Sequence, residues 1–113
     1  MESTTQSLLA TGVKVVWVTS PRIHVGWLQP GSPVYPENDP KRLIAFNQMM
    51  FDVAAAHPGQ VFVVDFRSYL RTRPNGELDY NERPDGVHFT DEAMAQQVGW
   101  LAPAILSVLR PAV

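Results

Sequence analysis

The sequence predicts an α/β fold built on parallel strands with helices on both faces. Three observations carry that expectation. Two short segments, Val13–Thr19 and Val61–Phe66, are β-branched and aromatic almost without a break, the mark of strands buried on both sides rather than one. A well-delimited helical segment separates them, giving a strand–helix–strand unit of the kind that crosses over right-handed. A second long apolar-striped segment closes the chain.

Each element has its own local reason. A short helix is expected over Ser3–Thr11, with Gly12 free to adopt the left-handed conformation that ends helices. Strand Val13–Thr19 follows, and then a loop rich in Pro and Gly from Ser20 to Asn38 that includes the aromatics Trp27 and Tyr35. The next helix opens on Asp39, a good N-cap, with Pro40 at the position that tolerates a missing donor. It stops at His57-Pro58-Gly59, and its expected buried stripe is Leu43, Phe46, Met50 and Val53. His57 stands where a cation favours the helix dipole.

Beyond strand Val61–Phe66, a polar connection runs from Arg67 to Val87. Its Pro74-Asn75-Gly76 turn signal suggests a small hairpin. The final helix opens at Thr90-Asp91-Glu92, a hydroxyl cap followed by two acids, with Phe89 and Met94 spaced for a hydrophobic staple. Its expected stripe is Met94, Val98, Leu101, Ile105 and Val108, with a bend at Pro103.

Composition narrows the function classes. The 113 residues are 45% hydrophobic and 18% charged, a core-forming balance for one domain. Net charge is -2 with no basic run, so no nucleic-acid partner or anionic membrane surface is expected. Cysteine is absent, which removes disulfide scaffolds and thiol catalysis. The N-terminus lacks the basic and long apolar regions of a secretory peptide, and no apolar run reaches the roughly 20 residues of a membrane span. Compartment stays open.

Two strands covered on both faces need neighbours along their edges, and a bare two-stranded parallel sheet is not expected to be stable alone. The missing strands are therefore expected to come from another chain, an upstream polypeptide or a second copy in a homodimer, or else the chain is part of a larger domain.

Ligands of open parallel sheets bind beyond the carboxyl ends of the strands. Two segments project there: Ser20-Pro21-Arg22-Ile23-His24, and the loop ending in Arg83-Pro84-Asp85-Gly86-Val87-His88. Asp85 and His88, three apart in a turn set by Pro84 and Gly86, can place a carboxylate against one imidazole nitrogen and leave the other as a general base. The bland alternative is that Asp85-Gly86 is only a turn and His88 a pre-helix residue. Ser20, Arg22 and His24 are candidate substrate contacts. His24, Asp85 and His88 have zinc-ligand chemistry, but no short-spaced histidine pair accompanies them, and no metal is expected.

The stretch Arg-Pro-Asp-Gly-Val-His-Phe-Thr, Arg83 to Thr90, followed by Glu92-Ala93 and Trp100-Leu-Ala-Pro-Ala-Ile-Leu106, resembles the C-terminal block of SGNH (GDSL-like) hydrolases. It is most similar to the extracytoplasmic SGNH domains attached to bacterial membrane acyltransferases. Val15-Val-Trp-Val-Thr-Ser-Pro21 and the helix carrying Phe46-Asn47 follow the same pattern. The resemblance implies a flavodoxin-like three-layer α/β/α sandwich with its N-terminal strands missing here. It implies that Asp85 orients the ring, that His88 deprotonates a serine, and that acyl esters, including acylated sugars or lipids, are the substrates, with no cofactor.

The chain departs from that pattern at the nucleophile and at the oxyanion hole, whose Gly and Asn blocks are matched by none of Asn38, Asn47, Asn75 and Asn81. It has no Gly-Asp-Ser nucleophile block; its serines are Ser3, Ser7, Ser20, Ser32, Ser68 and Ser107, and Ser20 matches the strand-end Thr-Ser-Pro instead. Two functions are expected to compete: an acyl-ester hydrolase or O-acyltransferase segment supplying the acid–base pair, and an inactive binding or dimerisation module that keeps the architecture.

Overall fold

A computed structural model describes residues 1–25 and 35–110. Helix α1 (Glu2–Leu9) leads into strand β1 (Val15–Val18), and a 3₁₀ turn at Pro36–Asn38 precedes helix α2 (Pro40–Ala56). Strand β2 (Val61–Val64) is followed directly by helix α3 (Phe66–Arg71), and helix α4 (Asp91–Leu109) completes the order. β1 and β2 pair in parallel, Val15 opposite Val61 and Val18 opposite Val64. This is a small α/β fold, as the strand–helix–strand pattern implies.

The caps act as their chemistry dictates. Asp39 accepts from the Lys41 amide at 2.9 Å at the start of α2, and Thr90 accepts from the Ala93 amide at 3.1 Å at the start of α4. The core forms where Val15 and Val61 meet Val53 of α2, with Met1, Leu9, Trp17 and Ala54 packed around them. Trp17 Nε1 donates to the buried Thr5 hydroxyl at 3.1 Å, tying α1 to β1.

Three expectations need correction. The expected hairpin around Pro74-Asn75-Gly76 does not form: no strand besides β1 and β2 occurs among the described residues, and the segment is a turn with Gly76 at φ +69°. Part of the supposed connection is α3, whose N-cap Asp65 accepts from the Ser68 amide and which buries Phe66 and Leu70. The helix stripes hold in part: Met50 and Val53 of α2 are buried and Leu43 half-buried, and Leu101, Ile105 and Val108 of α4 are half-buried, but Phe46, Met94 and Val98 are not inside. In α2 the buried positions are Asn47, Met50 and Val53, while Phe46 is 46% exposed. In α4, Ala93 and Gln97 are buried, and Met94 and Val98 lie outside. The cause is polar: Asn47 brackets the Ser20 backbone from inside in place of Phe46, and buried Gln97 Nε2 donates to Glu82.

Phe89 packs against Phe66, with ring centroids 6.1 Å apart. Trp100 of α4 stacks on Tyr69 of α3 at 4.2 Å. His57, at the C-cap of α2, reaches Glu2 across the fold, Nε2 to Oε1 at 2.6 Å. That bond holds the Glu2 carboxyl below its ordinary value. Trp27 lies outside the described residues, and Tyr35 is half-buried.

Candidate active site

The carboxyl ends of β1 and β2 are cross-linked by side chains. Thr19 donates to Asp65 Oδ1 at 2.8 Å and accepts from the Arg67 amide at 3.0 Å. Burial pushes the Asp65 carboxyl up, but hydrogen bonds from Ser68 and Thr19, with Arg67 nearby, outweigh it and leave the group below its usual range. A cavity of about 130 Å³ opens here between Thr19, Asn47, Phe51, Asp65 and Arg67. A second, of about 280 Å³, lies between Asp79, Glu82 and the first turn of α4. Neither is lined by Asp85 or His88.

Past Thr19 the chain is clamped by its neighbours. Asn47 accepts from the Ser20 amide and donates to the Ser20 carbonyl, both at 2.9 Å. The Ser20 hydroxyl bonds the carbonyl of Pro21. The Arg22 amide donates to Glu77 at 2.9 Å, and the His24 amide to the Gly86 carbonyl at 2.9 Å. Residues 20–24 thus run alongside the Asp85 turn, so the structure brings the two projecting segments together. Arg22 Nε and His24 Nδ1 are buried without a hydrogen-bond partner.

Arg83 is the hub of this arrangement. It is 1% exposed and donates to the carbonyls of Arg22, Glu77 and Val87 while its guanidinium lies 5.1 Å from the Phe89 ring. Burial pushes its pKa down, opposed by Glu77 and Asp85. Glu77 in turn takes a bidentate pair from Arg67, at 2.9 and 3.2 Å. Glu82 pairs with Arg73 and accepts from buried Gln97 at 3.3 Å.

On this base sits the pair. Asp85 Oδ1 accepts from the amides of Val87 and His88 at 2.8 and 2.7 Å, and its Oδ2 meets His88 Nδ1 at 2.6 Å. The His88 ring bond and those two amides hold the Asp85 carboxyl well below the usual carboxylate range. An ionised carboxylate only accepts, so Nδ1 is the nitrogen that carries a proton toward Asp85, and Nε2 is the one left to accept a proton from a neighbour. The His88 side chain is 83% exposed, and Nε2 has no partner among the described residues.

No serine hydroxyl hydrogen-bonds His88 among the described residues: the Ser20 hydroxyl is bound to Pro21 and that of Ser68 to Asp65. Nor do any three His, Asp or Glu side chains among them converge as a metal ligand set. No helix among them is long and apolar enough to cross a membrane.

Arg83, Asn47, Glu77 and Asp65 carry the site's geometry, and sequence reasoning does not assign them. Only Asp65 had a readable signal, an acceptor three residues before Ser68 with Phe66 and Leu70 four apart. Comparison with family models, with curated proteins and with solved structures finds no match for this chain.

Proposed function

We propose that the chain supplies the acid–base pair of an SGNH-type acyl-ester hydrolase or O-acyltransferase, with the nucleophilic serine contributed by a second polypeptide. One observation carries the reading: Asp85 Oδ2 lies 2.6 Å from His88 Nδ1 while the ring's other nitrogen faces solvent. Asp85 fixes the tautomer and stabilises the imidazolium. His88 Nε2 takes the serine proton as the oxygen attacks the acyl carbon, then returns it to the departing alkoxide. Water, or an acceptor hydroxyl, releases the acyl group by the same exchange. The substrate is an acyl ester such as an acylated sugar or lipid, approached by Ser20, Arg22 and His24. In this reading β1 and β2 are strands of a flavodoxin-like three-layer sandwich.

The test is to mix the folded chain with a polypeptide carrying a Gly-Asp-Ser segment and follow hydrolysis of an activated acetyl ester. Turnover appears only in the mixture and disappears with His88→Ala. A folded but inert mixture overturns the proposal. It would favour the second reading, an inactive α/β binding module, which rests on the lack of any serine bonded to His88 among the described residues.

A further inference from the structure

β1 carries an unused hydrogen-bonding edge. Its ladder contacts run from the Val15 amide to the Gln60 carbonyl at 2.9 Å and from the Thr19 amide to the Val64 carbonyl at 3.1 Å. Backbone groups alternate in direction along a strand, so Val16 and Val18 turn both N–H and C=O away from β2. Among the described residues no strand stands on that side. Val15–Val18 has no charge or proline to blunt the edge. Val16, Trp17 and Val18 stay half-buried although the run is wholly apolar.

The chain as a whole also carries surface in excess, most of its exposed large hydrophobics lying on α2 and α4. The chain exposes 7415 Å², whereas a compact monomer of its 12.6 kDa exposes about 6,200 Å². Its radius of gyration is 16.1 Å, against about 13 Å for a compact domain of this length. The excess surpasses the roughly 800 Å² per partner that a stable interface covers.

We propose that the free edge of β1 pairs antiparallel with β1 of a second copy, forming a continuous four-stranded sheet about a two-fold axis at Trp17. In that register Val16 faces the partner's Val18 and Val18 faces the partner's Val16, so both free amide–carbonyl pairs of each chain are used. Trp17 meets the partner's Trp17 at a close, non-hydrogen-bonded position, an aromatic pairing that sheets favour. Lys14 falls opposite the partner's Ser20, and no like charges oppose. Leu8 and Val13, in the segment that leads into β1, are both exposed. This self-complementarity selects a second copy over a foreign strand. The inference does not depend on the esterase reading.

Sedimentation equilibrium of the full chain tests it, and a dimer is expected. Val16→Pro deletes an amide that β2 does not use, and should raise the dimer dissociation constant on the order of tenfold or more. Because the chain has no cysteine, Trp17→Cys offers a second measurement: oxidation should link two copies covalently. A wild-type chain that stays monomeric, or a folded Val16→Pro variant that dimerises unchanged, overturns the proposal. If Val16→Pro does not fold, the cross-link decides: its formation supports the interface and its absence overturns it.

Discussion

Arg83 Nη1 lies 2.6 Å from the carbonyl oxygen of Arg22, a residue sixty-one positions earlier in the chain. The same nitrogen reaches Glu77, and Nε and Nη2 close on Val87. One buried side chain therefore joins the exit of β1 to the turn that carries Asp85.

Removing that side chain strands several buried carbonyls at once. Arg83→Met should destabilise the fold by about 3 kcal/mol, since unmade buried hydrogen bonds cost their full desolvation. Arg83→Lys should rescue little, because an ammonium cannot reproduce the planar fork. Urea unfolding curves of the two variants check this, and a midpoint near wild type for Arg83→Lys would contradict it.

His88→Ala, by contrast, should shift stability by no more than about 0.5 kcal/mol, because an exposed ring contributes little packing. A thermal melt distinguishes the outcomes. Near-native stability, combined with the loss of turnover described above, would separate chemistry from scaffolding.

Gly86 sits at φ +73°, and a Cβ there would overlap the His24 carbonyl oxygen. Gly76, at φ +69°, has open space around its missing side chain. Gly76→Ala should cost only the left-handed penalty of about 1–2 kcal/mol. Gly86→Ala adds a backbone clash and should cost more, while opening the His24–Gly86 bond. Amide hydrogen exchange at His24 reads that opening directly.

Acid should weaken the fold through Asp65. Its folded carboxyl lies below the ordinary value, so its contribution is complete above the unfolded pKa of about 3.9 and is lost as pH falls through the folded one. Asp65→Asn should lower the melting temperature at pH 6, with the gap to wild type narrowing toward pH 3. A gap independent of pH would refute the linkage.

The fold's outline was legible because local chemistry spelled it out. Asp39-Pro40 and Thr90 name helix starts by capping, and the two Val-rich runs name the strands, whose full cover on both faces does not follow. The Asp85–His88 contact follows from three-residue spacing in a turn. What stayed hidden depends on distant partners. Nothing near Asn47 announces that Ser20 will bond to it, and an apolar stripe drawn through Phe46 instead is the natural error. Arg83 reads as a surface cation until three carbonyls from separate segments converge on it.

The parallel pairing has a kinetic meaning as well. Thr19 and Asp65 are forty-six positions apart, and the paired residues of β1 and β2 keep the same separation. No ladder bond can form until that loop has closed, and closure is opposed by chain entropy before any pairing rewards it. α2, capped by its own Asp39, can form on its own within that loop and shorten the search. Folding should therefore be timed by when β1 and β2 meet, with helix signal rising ahead of the burial of Trp17.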